Sequence, residues 1–195
     1  MSTPRDFSSA IRALMEVLDE GPPGMIIGGV AVIALGFPRT TIDIDATVRV
    51  PLDDLDALVG RLERTGIEPR IAGAIDFAKI NHVLLMKHRD SGVPIDISLA
   101  VLPFEQEAIA HRRMIDVGGL RMTIPRVDDL LVYKLVASRP QDLRDMEELL
   151  LRYVDTVDLP STRRFVAEFA AVLERPEMLT TFDRLVALAR GPGEP

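Results

Sequence analysis

Two aspartates, Asp43 and Asp45, stand two residues apart among isoleucines, separated from the pair Gly28-Gly29 by a spacer of thirteen residues. On a strand, side chains at i and i+2 share a face, so this spacing turns both carboxylates the same way and Ile42 and Ile44 the other way. Like charges held side by side repel, and a cation between them relieves the repulsion. Hard oxygen ligands on a rigid strand suit Mg²⁺, which takes one or two carboxylates and leaves the rest of its shell to water or substrate phosphates. Glycines ahead of a helix allow close backbone approach, and free N–H groups at a helix start favour an anion. The chemistry implied is a metal-and-phosphate site. A third carboxylate, Asp96, lies between Ile95 and Ile97 in another strand-like run. A strand pairing beside the first would bring it to Asp43 and Asp45, giving three carboxylates for one or two ions. The competing reading of each acid is a solvated residue at a strand end or on an edge strand.

The elements that must position these residues can be read from periodicity. Apolar residues at helical spacing predict a first helix over 7–19, ended by Gly21-Pro22-Pro23-Gly24. A short buried strand, Met25-Ile26-Ile27, delivers the two glycines, and a helix over 30–35 follows. Strands are expected over 42–50, 67–71, 82–87 and 95–101, with a helix over 52–64. A loop over 72–79 is expected to contribute to the walls of a binding pocket. A further helix over 104–112 precedes a hairpin of 114–117 and 120–124 turned by Gly118-Gly119. From Val127 the period is helical, with further helices over 142–153, 161–173 and 177–189, Ser161 serving as an N-cap. The tail 191–195 reads as disordered. Alternating strands and helices followed by a helical half predict an α/β (α+β) fold.

These residues resemble the nucleotidyltransferase superfamily of the polymerase-beta type: Gly28-Gly29, a spacer, Asp43-x-Asp45, then an apolar-flanked Asp96. Gly28-Gly29-Val30-Ala31, Arg39-Thr40-Thr41-x-Asp43-Ile44-Asp45 and the segment from Lys134 through Arg139, Asp142 and Asp145 resemble the AbiEii-like group, which includes toxin components of toxin–antitoxin pairs. The resemblance spans residues 25–150. It implies a mixed sheet flanked by helices, a catalytic core over 1–125 and a helical region over 126–190 contributing Lys134 and Asp145. It further implies Mg²⁺-dependent transfer of NMP from an NTP to an acceptor hydroxyl. Asp43, Asp45 and Asp96 would be metal ligands, and Gly28, Gly29, Arg39, Thr41 and Lys134 would bind the nucleotide. The acceptor would be tRNA or protein, with a cognate antitoxin as partner. A small-molecule acceptor of the aminoglycoside type and a non-catalytic NTP-binding module are the alternatives.

On periodicity alone, Lys134 could equally be a snorkelling lysine or an ion pair with Asp142 or Asp145, which share a helix face at i, i+3. Asp142 could be an N-cap and Asp145 could support the helix dipole. Arg39 could brace Asp43.

Composition bounds the function classes. The 195 residues are 47% hydrophobic and 27% charged, enough for a real core in an ordinary globular chain. With no cysteine there is neither disulfide nor thiolate site, and His82, His88 and His111 are too scattered for zinc. No apolar run approaches a membrane span and the first residues are polar, so a cytoplasmic location without membrane contact is expected. A net charge of −7, from 23 basic and 30 acidic residues, gives no global attraction to nucleic acid. The basic clusters, such as Arg61 with Arg64 and His111-Arg112-Arg113, read as solvated surface rather than a docking stripe.

Overall fold

The computed structural model describes residues 6–191, which divide into two compact units meeting at Pro125 and Arg126. The first unit is a five-stranded mixed sheet with helices packed on it. Helix α1 (Phe7–Glu20) starts at Asp6, whose carboxylate accepts the Ser9 N–H at 3.1 Å, and it buries Ile11, Leu14, Met15 and Leu18. Strand β1 (Gly24–Ile26) pairs antiparallel with β2 (Ile44–Val48), and β2 pairs parallel with β5 (Pro94–Leu99). Strand β4 (Val83–His88) joins the other side of β5 and β3 (Ile67–Pro69) forms the far edge, both antiparallel, for a spatial order β1-β2-β5-β4-β3. Helices α2 (Gly28–Ala34), α3 (Leu55–Arg64), α4 (Ala74–Asn81) and α5 (Pro103–Ala110) intervene. A separate hairpin of β6 (Arg113–Val117) and β7 (Leu120–Ile124) packs on α1 and β1.

One face of the sheet is the core. Ile44, Ala46 and Val48 of β2, Leu84 and Met86 of β4, and Ile95, Ile97 and Leu99 of β5 are all buried on it. The alternate residues lie on the opposite face, where Asp45, Asp96, Ser98 and Leu85 are half-buried and Thr47 is fully buried. The strand period therefore places the acidic residues on the open face of a sheet whose other face is fully covered.

Four local expectations differ from what is found. The strand does not extend over 42–50: pairing begins at Ile44, Asp43 sits in a bend, and Ile42 is 67% exposed rather than turned inward with Ile44. The register would set Asp43 opposite Pro94, which has no N–H for the ladder, while the Thr41 hydroxyl donates to the Asp43 carbonyl at 3.1 Å. The two glycines lie inside the first turn of α2 rather than ahead of a helix starting at residue 30. Residues 74–79 of the expected loop belong to helix α4 (Ala74–Asn81), framed by Gly73 and His82 in left-handed conformation. Helix α8 (Leu159–Val172) is capped by Asp158, whose carboxylate accepts the Ser161 N–H at 3.0 Å, so Ser161 is the capped residue and not the cap.

The second unit is helical: α6 (Val127–Ala137), α7 (Pro140–Tyr153), α8 and α9 (Glu177–Arg190). Its core holds Leu130, Leu131, Leu135, Met146, Leu149, Leu150, Val166, Phe182 and Leu185. The mixed α/β architecture with a helical C-terminal half is that of the expected fold. Of the tail expected to be disordered, residues 192–195 lie outside the described residues. No helix among the described residues is long and apolar enough to cross a membrane.

Candidate active site

The parallel pairing of β2 and β5 sets Asp45 directly opposite Asp96. Antiparallel pairing sets Leu85 opposite Asp96 on the other side, and the Arg70 N–H extends the β3 ladder to the Leu85 carbonyl at 2.8 Å. Arg70, Leu85, Asp96 and Asp45 thus form one row across the open face, because cross-strand neighbours point the same way. At the end of the row the Ile27 N–H donates to the Asp45 carbonyl at 2.8 Å, bringing the chain into Gly28.

The glycines have separate reasons to be glycine. Gly28 has φ +63°, and a Cβ there would stand 2.1 Å from Asp45 Oδ2. A Cβ on Gly29 would meet Thr41 Oγ1 at 3.0 Å and Arg39 Cζ at 3.1 Å. Gly28 thus keeps open the space that the Asp45 carboxylate uses, and Gly29 lets the 39–41 segment close against α2. Thr41 Oγ1 also lies 3.2 Å from Asp43 Oδ1 as a donor, and Arg39 Nε donates to the Thr40 carbonyl at 3.3 Å. Gly28→Ala is expected to displace the Asp45 carboxylate and to destabilise the first unit by about 1–3 kcal/mol through the forced left-handed backbone. A thermal melt measured beside nucleotide binding checks both effects, and unchanged values in both would contradict this account.

Burial pushes the Asp96 carboxyl above the usual carboxylate range; Arg70 pulls it back, and the negative charge of Asp43 adds to the rise. The coupling places Asp43 within electrostatic reach of Asp96 although it has left the strand. The Arg70 guanidinium donates from Nη2 to Asp96 Oδ1 at 2.7 Å, each side chain being about one-third exposed (32% and 33%). Arg70 is a site residue that the motifs did not mark. Its strand was legible, but its pairing with a residue 26 positions later depends on the strand order.

Among the described residues no three carboxylate or imidazole side chains are gathered closely enough to hold an ion by themselves. The donor set nevertheless fits a Mg²⁺ ion of the kind that takes one or two carboxylates and completes its shell on substrate phosphates. The carboxylate space kept by Gly28 and the guanidinium standing on Asp96 both mark the row as a place for positive charge.

The second unit holds the other acid–base cluster. Lys134 Nζ donates to Asp142 Oδ1 at 3.1 Å and to Asp145 Oδ2 at 2.7 Å, with all three side chains buried to 3% exposure or less. Arg139 adds a 2.6 Å bond from Nε to Asp142 Oδ2, and its backbone N–H reaches the same oxygen at 3.2 Å, so Asp142 serves the helix start from the third position of α7. Gln141 Nε2 donates to Asp145 Oδ1 at 2.8 Å. Burial alone would raise the Asp142 carboxyl, but the hydrogen bonds from Arg139 and Lys134 outweigh it and hold the group below the usual range. The ion pair open to Lys134 on periodicity is present with both aspartates.

Comparison with known proteins gives the class. The chain belongs to the family described as a nucleotidyltransferase of unknown function (DUF6036), whose model matches residues 7–182. No curated protein matches the sequence. Among solved structures, JHP933 from Helicobacter pylori is 16% identical, with a TM-score of 0.51 over 95% of this chain and 91% of that one. An antigenic nucleotidyltransferase-like protein from Paracoccidioides brasiliensis is 15% identical, with a TM-score of 0.54 over 94% of each chain. The antibiotic-resistance factor ANT(2'')-Ia is 16% identical, with a TM-score of 0.51 over 97% of this chain and 93% of that one. At these identities the likeness is one of fold.

Proposed function

We propose that the chain transfers NMP from an NTP to an acceptor hydroxyl, releasing pyrophosphate, at the row formed by Asp45 and Asp96 with Asp43 beside it. The observation that carries this reading is the register pairing of Asp45 with Asp96, next to a glycine that could not bear a Cβ. Asp45 and Asp96, paired in register, would hold the divalent cation with Asp43 beside them, and the ion when bound would supply charge neutralisation of the triphosphate. Gly28 and Gly29 allow the backbone to approach the phosphates, and Arg39 and Thr41, packed against Gly29, border them. Asp96 would receive the proton of the attacking hydroxyl as general base. Lys134 and Asp145 enter through the sequence resemblance. Lys134 directs two of its three donors to Asp142 and Asp145, and its assignment to the phosphates rests on that resemblance alone.

The resemblance of the Lys134–Asp145 segment supports a toxin-type enzyme acting on tRNA or protein beside a cognate antitoxin. The decisive experiment is calorimetric titration with each NTP, in Mg²⁺ and again in EDTA. One NTP should bind in Mg²⁺ and fail to bind in EDTA; absence of binding for all of them under both conditions would overturn the reading. Labelled NTP added to a cell lysate then assigns the acceptor, with label in RNA, in protein or in small molecules as the distinguishable outcomes.

A further inference from the structure

Arg70 stands where a cation is wanted. It is fixed by the ladder bond from its N–H to Leu85, it lies in the row with Asp96 and Asp45, and its guanidinium holds Asp96 Oδ1 at 2.7 Å. The neighbouring carboxylate on the same edge strand, Glu68, does not compete for it. Glu68 is already held by Lys87 at 3.3 Å and Arg89 at 2.8 Å, so the arginine reaches over β4 to the central strand instead. An arginine cannot deprotonate in a protein, so its charge at this position is permanent. A divalent ion drawn to Asp45 and Asp96 must either share Asp96 with this guanidinium or displace it.

We propose that Arg70 is a positioning residue that competes with the divalent cation for Asp96, and so sets the affinity of the site for its metal. The inference rests on the reading of Asp45 and Asp96 as cation ligands. In the absence of metal, Arg70 holds the Asp96 carboxylate along the row at 2.7 Å, and its positive charge offsets the repulsion from Asp43 and Asp45. When the ion arrives, the side chain gives up Oδ1. Because the pair is about one-third exposed, its loss costs little to the fold and can be exchanged. Arg70 thus gives the site a weak intrinsic affinity for bare metal, which a metal–NTP complex overcomes through the contacts of its phosphates.

The test is titration of the protein with Mn²⁺ alone, without nucleotide, followed by electron paramagnetic resonance of the free ion. Arg70→Gln should tighten Mn²⁺ binding about tenfold, the size of one charge-assisted hydrogen bond discounted for exposure. Arg70→Lys, which keeps the charge without the planar fork, should fall between the two. In an Asp96→Asn background Arg70→Gln should have no further effect, and Arg89→Gln, which removes a charge of the same sign from Glu68, should leave affinity unchanged. Competition for Asp96 is overturned if Arg70→Gln leaves Mn²⁺ affinity unchanged or weakens it, or if the gain persists without the Asp96 carboxylate. Mn²⁺ binding by the unaltered protein with no response to Arg70→Gln would sink this inference alone. Absence of Mn²⁺ binding in both would sink it together with the metal-dependent reading of the site.

Discussion

Asp45→Asn is expected to lower NMP transfer about 1,000-fold or more, which corresponds to a loss of ~4 kcal/mol of transition-state stabilisation. The substitution is nearly isosteric, and the strand that bears it is held by features the side chain does not make. Strand β2 is paired on both sides, the Ile27 N–H binds the Asp45 carbonyl, and Ile44 and Ala46 on either side are fully buried in the core. What changes is one negative charge in the space kept by Gly28, opposite Asp96. On the proposed reading, an amide there would not balance a divalent cation, and a bound triphosphate would lose its neutralising partner. The same variant should melt within a few degrees of the unaltered protein, because a change of ~1 kcal/mol moves the midpoint of a chain this size by about 2–4 °C. Transfer measured with labelled NTP beside a thermal melt separates the two effects. Activity within tenfold of the starting value would remove Asp45 from the chemistry, and a collapsed melting point would make the loss one of folding.

The features that periodicity made legible are those decided locally. The helices over 7–20 and 55–64 show their apolar faces, and the Gly118-Gly119 hairpin shows its turn. The strands of the sheet appear because their core-facing residues alternate with half-open ones. Asp43 left its strand because of Pro94, far along the chain, which offers no N–H at the register position where pairing would have continued. Helix α4 escaped because it is barely amphipathic: only Ala74 and Ala78 are buried, and Ile80 is 78% exposed. The left-handed residues that frame it include His82, which carries no turn signature. Arg70 was invisible for a third reason. A guanidinium that crosses one strand to reach a carboxylate on the next belongs to the strand order, and no local spacing encodes that order. The Lys134 pairings lay within reach because only two residues, Arg139 and the left-handed Ser138, separate the two helices that make them.

Lys134→Ala is expected to destabilise the helical unit by about 3–5 kcal/mol, because it leaves two buried carboxylates without their shared cation. That loss should lower the melting point by roughly 10 °C or more. Arg139 limits the damage at Asp142, and Asp145 retains Gln141 as a neutral donor. Adding Asp145→Asn to the variant should recover part of the stability, since removing a buried charge with its partner costs less than removing the partner alone. The same network predicts a pH dependence with a definite sign. Asp142 is held below its ordinary value near 3.8, so its contribution is fully present above that value and is lost as pH falls through the lower folded one. Melts between pH 7 and 5 should therefore be flat with respect to this group, with the decline beginning below about pH 4. Asp142→Asn should remove that part of the acid decline. These effects decide how a loss of transfer activity at Lys134 is to be interpreted. An inactive but unfolded variant reports only the ion network, whereas loss of NTP binding at a temperature where the variant remains folded assigns the ammonium to the phosphates.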